Sequence, residues 1–400
     1  MPHAYYTQAH GTKALLRTPK YNYSQAIPCT GAGKEHSLLP HHCLSFASPD
    51  SMAFNENTRV KLPAILHLCR LGYTYVPLRG AKWDADTNIF TDIFLESVGR
   101  LNPELTPADI KKALEDVSLT LDNDDLGQAC YKLLTASSGV KLFDFNDPTK
   151  NSYHVVTELT YKNGEDEFRP DITLLFNGMP LVFIEVKKPN NLEGVLAERD
   201  RINTRFKNSK FKRFVNLSQL LVFSNNMEYD TESIEPVQGV FYSTTSYERA
   251  SFNCFREEEN FDLDALLAPE DDALETAVLK DNNLAAIKHS PEFLTNKDPK
   301  NPTNRVLTSL CSKERIASVL KYAIAYVRGS KGVEKHIMRY PQFFASKAIE
   351  RKLDAGVKKG IIWHTQGSGK TALAYYNVHS LTDYFQGLSL IHISEPTRPY

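Results

Sequence analysis

Very little in this chain commits it to a membrane or to an oxidising compartment. Its 400 residues hold six cysteines, Cys29, Cys43, Cys69, Cys130, Cys254 and Cys311, and no two form a C-x-x-C pair. Neither a disulfide framework nor a structural zinc site is indicated, and this usage fits a reducing cytoplasm. No apolar run reaches the roughly 18 residues that a membrane span needs, and no basic-then-apolar export signal opens the chain. Neither sign of charge dominates: 47 Lys and Arg against 48 Asp and Glu leave a net charge of -1. Bulk charge therefore argues for no polyanionic partner, although a local basic stripe would suffice for one. Internal repeats are also lacking.

What is present reads as an ordinary globular chain, 42% hydrophobic and 24% charged, long enough for two or three domains. Residues 1–51 carry scattered Pro, Gly, Ser and His without a sustained period. Cys29, His36, His41, His42 and Cys43 match no zinc-ligand spacing. This stretch is expected to be a disordered or non-native leader, with the natural start at Met52. From there the texture changes. Val60, Leu62, Ile65, Leu66, Leu68 and Leu71 recur at helical spacing, Gly72 stops the helix, and a β-prone Tyr-Thr-Tyr-Val follows. Two more helices are expected within 105–134, the first opened by Thr106-Pro107-Ala108-Asp109. YHVVTELTY, RPDITLLF and MPLVFIEVKK then read as strands separated by Asn163-Gly164 and Asn177-Gly178, strong hairpin signals. The third is apolar on both faces and should lie centrally in a sheet. A polar helix at about 192–208 and strands at QLLVFSNN and VQGVFYST complete a first domain, 52–255. Residues 256–335 are expected to connect, with short helices, and 312–328 to form one amphipathic helix. A further domain would begin at 336, with a helix at 340–352 and a strand at GIIWHT.

Two constellations carry chemistry. Glu185 comes fourteen positions after Asp171. In a hairpin turning at Asn177-Gly178 the start of one strand lies beside the end of the next, so Asp171 and Glu185 can meet. Glu185 and Lys187, two apart on a strand, point the same way. Two carboxylates can hold Mg²⁺ by hard oxygen ligation. The metal polarises a phosphodiester and helps to generate hydroxide, while the lysine positions water or offsets developing charge. A bare E-x-K is usually a solvated surface pair. Here it ends an apolar strand, where charge is costly unless used or paired.

The second constellation is HTQGSGKT, which fits G-x-x-x-x-G-K-[ST] with His364 in place of the first glycine. Thr365, Gln366, Gly367, Ser368 and Gly369 would wrap phosphates with backbone N–H groups. Lys370 would reach the β/γ oxygens of ATP, and the Thr371 hydroxyl would hold Mg²⁺.

The residues FNENTRVKLPAILHLCRLGY, RPDITLLFNGMPLVFIEVKKP, LLVFSNNMEY and GIIWHTQGSGKT resemble the restriction (R) subunit of type I restriction–modification enzymes. That resemblance implies an α/β architecture, a PD-(D/E)xK restriction-endonuclease-like nuclease domain followed by the start of a P-loop (RecA-like) helicase domain. It implies Asp171 and Glu185 as metal ligands, Lys187 as catalytic lysine and Gln342 as a reader of the adenine edge. It implies Mg²⁺ and ATP as cofactors, and double-stranded DNA and the methylation (M) and specificity (S) subunits as partners. The family often has an acid on a preceding helix, for which Asp124 or Asp125 is a candidate. One motif is missing: the helix after the E-x-K strand has no Gln-x-x-x-Tyr, and Glu198, Arg201 or Arg205 are the possible substitutes. Arg199, Arg201, Arg205, Lys207, Lys210, Lys212 and Arg213 instead offer a basic surface for phosphates. LSLIHISEPTR, from Leu388, resembles a translated library adapter, so 388–400 are expected to be an artificial tail on a truncated motor, 336–387. Two other readings stay open: a nuclease–helicase fusion of another repair or defence system, and a non-catalytic DNA-binding fragment.

Overall fold

The computed structural model describes residues 55–189, 194–229, 238–247, 249–330, 332–363 and 369–385. The Cys29–Cys43 cluster, Thr365, Gln366, Gly367, Ser368 and the segment 388–400 lie outside the described residues.

The apolar stripe after Met52 forms a π-turn, Asn57–Lys61, running into helix α1, Leu62–Arg70, whose residues are buried through Cys69. Gly72 then turns with φ +93° and leads to strand β1, Thr74–Tyr75. Helix α2, Thr91–Leu101, follows. Sequence reading passed over it because it has no side-chain cap and only Phe94, Ser97 and Val98 are buried. Helix α3, Pro107–Thr120, starts as expected, with Thr106 and Asp109 in a reciprocal capping box. Helix α4 is Gln128–Leu134.

The β region comprises β2, Tyr153–Thr157, a small hairpin of β3, Tyr161–Asn163, with β4, Asp166–Phe168, and the long hairpin of β5, Ile172–Phe176, with β6, Met179–Val186. YHVVTELTY is thus not one strand. Glu158 takes φ +53° and breaks it, so β2 pairs with β5 and Asn163-Gly164 turns a separate ribbon. Helix α5, Gly194–Lys207, and helix α6, Lys212–Leu217, precede β7, Leu220–Ser224, β8, Val240–Ser243, and β9, Asn253–Cys254.

The mixed seven-stranded sheet runs β1-β2-β5-β6-β7-β8-β9, which makes β6 its middle strand. β6 is antiparallel to β5 and parallel to β7, and all eight of its residues are buried. Its alternation feeds two cores. Val182, Ile184 and Val186 join α1 on one face, while Phe183 meets Leu221, Phe223 and the α5 residues Val195, Ile202 and Phe206 on the other. Glu185 and Lys187 share the parity of Phe183 and so lie on the α5 face.

Five short or medium helices follow: α7, Leu263–Leu266, α8, Asp272–Asp281, α9, Pro291–Asn296, α10, Pro302–Cys311, and α11, Lys313–Tyr322. They pack on the α1 side. His67 bonds the Thr308 hydroxyl at 2.7 Å, and the Tyr73 hydroxyl donates to the Cys311 carbonyl at 2.7 Å. The helix expected over 312–328 ends at Tyr322. Ile324–Gly329 is instead strand β10, paired antiparallel with β11, Gly332–Ile337. The β-branched and aromatic Ile-Ala-Tyr-Val run prefers this ribbon once a partner exists. Helix α12, Tyr340–Asp354, and helix α13, Lys370–Tyr384, match expectation. The strand expected at GIIWHT does not form: Gly360–Trp363 has no regular structure, and Ile361 and Trp363 are 93% and 90% exposed. No described strand pairs with this segment, and an apolar strand gains little until its edges and faces are covered.

Candidate active site

The β5–β6 turn fixes the site. Asn177 and Gly178 both adopt positive φ, +50° and +83°, the signature of a primed two-residue hairpin. The Asn177 amide donates to Leu142 O and Asn151 Oδ1, and its oxygen accepts from Ser152 N at 2.7 Å. Gly178 has no room for a side chain, because a Cβ there would lie 2.6 Å from Phe90 O. With the turn pinned, a register shift between Leu174 and Leu175, which pair with Val182 and Pro180, leaves Leu181 as an extra residue and brings Ile172 opposite Ile184. Asp171 and Glu185 therefore fall together at the far end of the hairpin, and Asp171 Oδ2 accepts a 2.8 Å hydrogen bond from Val186 N.

Lys187 Nζ sits among four carboxylates. It donates to Glu185 Oε1 at 2.9 Å and to Val186 O at 2.8 Å. Asp171 and Glu56 each stand 3.8 Å away, and Glu198 stands 3.9 Å away. Burial and the neighbouring acids disfavour the ionised carboxylates. Burial first, then Asp171 and Glu185, push the Glu56 carboxyl up to about 7, against the pull of Lys187. Burial and Glu185 push Asp171 up to about 6. Burial and Glu198 raise Glu185. Burial pulls the Lys187 ammonium down, but Glu185, Asp171 and Glu56 reverse this and leave it raised. Glu185 Oε2 is buried without a hydrogen-bond partner. Among the described residues no three His, Cys, Asp or Glu side chains are already arranged as a metal cage; the Lys187 ammonium stands between the acids. A hard, oxygen-only donor set with surplus negative charge and an orphaned carboxylate oxygen nevertheless fits a divalent cation.

Sequence reasoning missed two members of this cluster. Glu56 is the acid contributed from an upstream helical segment. Its signal was an acid one turn ahead of a fully buried helical stripe. Lys61, 2% exposed, pairs with Glu158 at 2.6 Å and lowers both Glu56 and Asp171. Neither Asp124 nor Asp125 joins the cluster. Asp124 is exposed and pairs with Lys212 at 2.7 Å, and Asp125 caps α4 through Gly127 N and Ala129 N. Glu198, Arg201 and Arg205 do come together, with Glu198–Arg201 at 2.9 Å and Glu198–Arg205 at 3.2 Å. Much of the basic surface is paired locally: Lys210 with Asp166, Lys212 with Asp124, and Arg213 with Asp122.

At the other constellation, Gly369 caps α13 with φ +82°. Buried Gln342 bonds there: Nε2 donates to Gly369 O at 3.1 Å, and Oε1 accepts from Arg339 N at 2.9 Å. Gly369 and Thr371 border a cleft of about 900 Å³ whose other walls include Arg249, Lys335, Arg339 and Tyr375. Lys370 and Thr371 are exposed at the helix start.

Residues 53–231 match the family model for the type I restriction enzyme R protein N terminus, a span that holds Glu56, Asp171, Glu185, Lys187 and Glu198. That match and the relatives that follow support a type I restriction enzyme R subunit. It is similar to the putative type I restriction enzyme MjaIXP endonuclease subunit of Methanocaldococcus jannaschii, 25% identical over 80% of this chain and 31% of that protein. It also resembles the MjaVIIP endonuclease subunit of the same organism, 26% identical over 61% of this chain and 19% of that one. The type I restriction enzyme HindI endonuclease subunit of Haemophilus influenzae is 24% identical over 79% and 29%. The chain thus spans under a third of the length of these relatives. Residues 341–394 match the SWI2/SNF2 ATPase family model, which brings Gln342 and Gly369–Thr371 into one matched segment. No helix among the described residues is long and apolar enough to cross a membrane.

Proposed function

We propose that this chain supplies the DNA-cleaving centre of a type I restriction–modification system, a Mg²⁺-dependent endonuclease of PD-(D/E)xK type acting on unmodified double-stranded DNA. The observation that carries the reading is the convergence of Asp171, Glu185 and Lys187 with Glu56 at the end of the central strand, inside the segment that matches the R-protein family. Asp171 and Glu185 would hold the metal, which supplies Lewis acidity to a phosphodiester and a water of lowered pKa. The chain's own residues do the rest. The pinned hairpin fixes the two carboxylates relative to one another. Lys187, charged and close to both, orients the attacking water and offsets charge growing on the phosphate. Exposed Arg169 and half-exposed Arg201 flank the cluster and are placed to meet the DNA backbone.

Residues 336–387 form the start of a P-loop motor domain on this reading, with residues 52–255 as nuclease and 256–335 between them. Gln342 would read the adenine edge of ATP. Thr365, Gln366, Gly367, Ser368, Gly369 and Lys370 would cradle its phosphates, and Thr371 would ligate Mg²⁺. ATP-driven translocation would feed DNA to the nuclease, with methylation and specificity subunits providing recognition in the cytoplasm. The match over 341–394 and the Gln342–Gly369 bond support this part.

The decisive experiment is metal-dependent nicking of supercoiled DNA. Lys187→Ala and Asp171→Ala should each lower it by at least about 10²-fold while circular dichroism stays unchanged. Nicking that persists in both variants would show that the acids and lysine are not the catalytic site.

A further inference from the structure

Glu198 has no part in the chemistry proposed above, yet it occupies an expensive position. It is 1% exposed on α5, and its Oε2 lies 3.9 Å from an ammonium already crowded by three other acids. A buried carboxylate is costly unless it is paired. Anchoring alone does not explain it. Val195, Ile202 and Phe206 on the same helix already bury α5 against the Phe183 side of the sheet, and an apolar side chain at 198 would extend that contact without a charge. Its two oxygens instead face different cations, with Oε2 buried and making no hydrogen bond. Oε1 faces Arg205 at 3.2 Å, and Oε2 faces both Arg201, at 2.9 Å, and Lys187. The Arg205 guanidinium also lies 4.6 Å over the Phe168 ring, three residues before Asp171. Arg205 is therefore held between the strand that leads to Asp171 and the carboxylate that faces Lys187.

We infer that Glu198 is a positioning residue for Lys187, holding its ammonium from the helix side, with Arg205 fixing the Glu198 carboxylate. The inference rests on the nuclease reading above and fills the place that the missing Gln-x-x-x-Tyr leaves open. Of the four acids around Lys187, Asp171 and Glu185 are the proposed metal ligands, and Glu56 comes from the segment ahead of α1. Glu198 alone comes from α5, and it remains available to the ammonium when the two ligands turn to a cation.

The test has two arms on the full chain. In the first, amine acetylation of Lys187 is followed by mass spectrometry in Mg²⁺, with Lys210 and Lys212 as internal references. Glu198→Gln should raise the Lys187 rate at least about threefold and leave the references alone; an unchanged Lys187 rate overturns the inference. Arg205→Lys, which keeps a cation beside Glu198, should shift the rate in the same direction by less, and it serves should Glu198→Gln fail to fold. In the second arm, Glu198→Gln should slow nicking about 10²-fold, the loss that a misplacement of about 1 Å produces. It should cause no further loss in a Lys187→Ala background. An equal, additive loss in that background assigns Glu198 a merely structural role. If wild type and Lys187→Ala nick alike, the nuclease reading fails, while the acetylation arm still decides where Glu198 acts.

Discussion

Lys335 offers a direct test of the electrostatics of this fold, at a point where the β10–β11 ribbon meets the sheet. Its Nζ is buried and donates to Ser218 O at 2.9 Å and to Thr245 Oγ1 at 3.3 Å, with the Tyr326 ring 5.6 Å away. Among the described residues no carboxylate pairs with it. Burial pulls its pKa down from 10.5 to about 7, against weaker opposing pulls from Cys130 and Asp125. The sign follows from proton binding. Below about 7 both folded and unfolded chains carry the proton, and the folded state bears the full cost of a buried ammonium. Between about 7 and 10.5 the unfolded chain keeps the proton and the folded chain releases it, so stability rises with pH. The whole interval corresponds to about 5 kcal/mol, and its slope is about 1.4 kcal/mol per pH unit. The window of about pH 7.5 to 8.5 lies below the unfolded phenols, and the thiols raised on folding contribute alike to wild type and variant. Urea unfolding of wild type and Lys335→Met should therefore diverge across this window, with wild type gaining about 1 kcal/mol relative to the variant. Parallel pH dependences would refute the reasoning. They would mean that Lys335 keeps its proton when folded, through water or a carboxylate reaching the ribbon.

His67 makes the complementary case at low pH. Burial lowers it from 6.5 to about 3, so stability should fall as pH drops below about 6.5, by up to about 5 kcal/mol at pH 3, and urea titrations of His67→Gln should lack much of that slope. Gly178→Ala should destabilise the chain by more than about 2 kcal/mol, because the φ of +83° disfavours a side chain and the new Cβ would meet Phe90 O and Phe94 N. Its residual folded fraction should nick DNA less than wild type, since α2 must shift the turn that aligns Asp171 with Glu185; a variant that folds less well but nicks normally per folded molecule would separate the turn from the site.

Most of the site was legible where chemistry and register coincide. Asn177-Gly178 announces its own turn, and counting from it brings Asp171 to within one residue of Glu185; the register shift between Leu174 and Leu175, which no local signal marks, supplies the rest. Thr106 and Asp109 announced α3. Legibility failed where tertiary partners decide. Ile324–Gly329 has enough helical periodicity to extend α11, and only the presence of β11 turns it into a strand. Glu158 ends β2 with a positive φ that no local signal required. Glu56 was overlooked because nothing in FNENTR says what lies opposite it; Lys187 is 131 positions away in the chain. Asp124 and Asp125 are the candidates for the expected acid on a preceding helix, but Lys212, Gly127 and Ala129 claim them. GIIWHT has the composition of a strand and no described neighbour to make it one.

The β5–β6 hairpin also makes the site digital. Its turn is clamped at one end by Asn177, its acids stand at the other, and the single register shift between Leu174 and Leu175 sets Asp171 opposite Glu185 instead of Ile184. A single inserted or deleted residue between them reverses the facing of everything beyond it. Such a change could leave the hydrophobic content almost intact and still send one acid towards α1 instead of α5. Point substitutions within β5 and β6 should therefore be graded in effect, whereas one-residue insertions should act as an off switch. The fourteen-position interval is as much a part of the candidate site as the side chains at its ends.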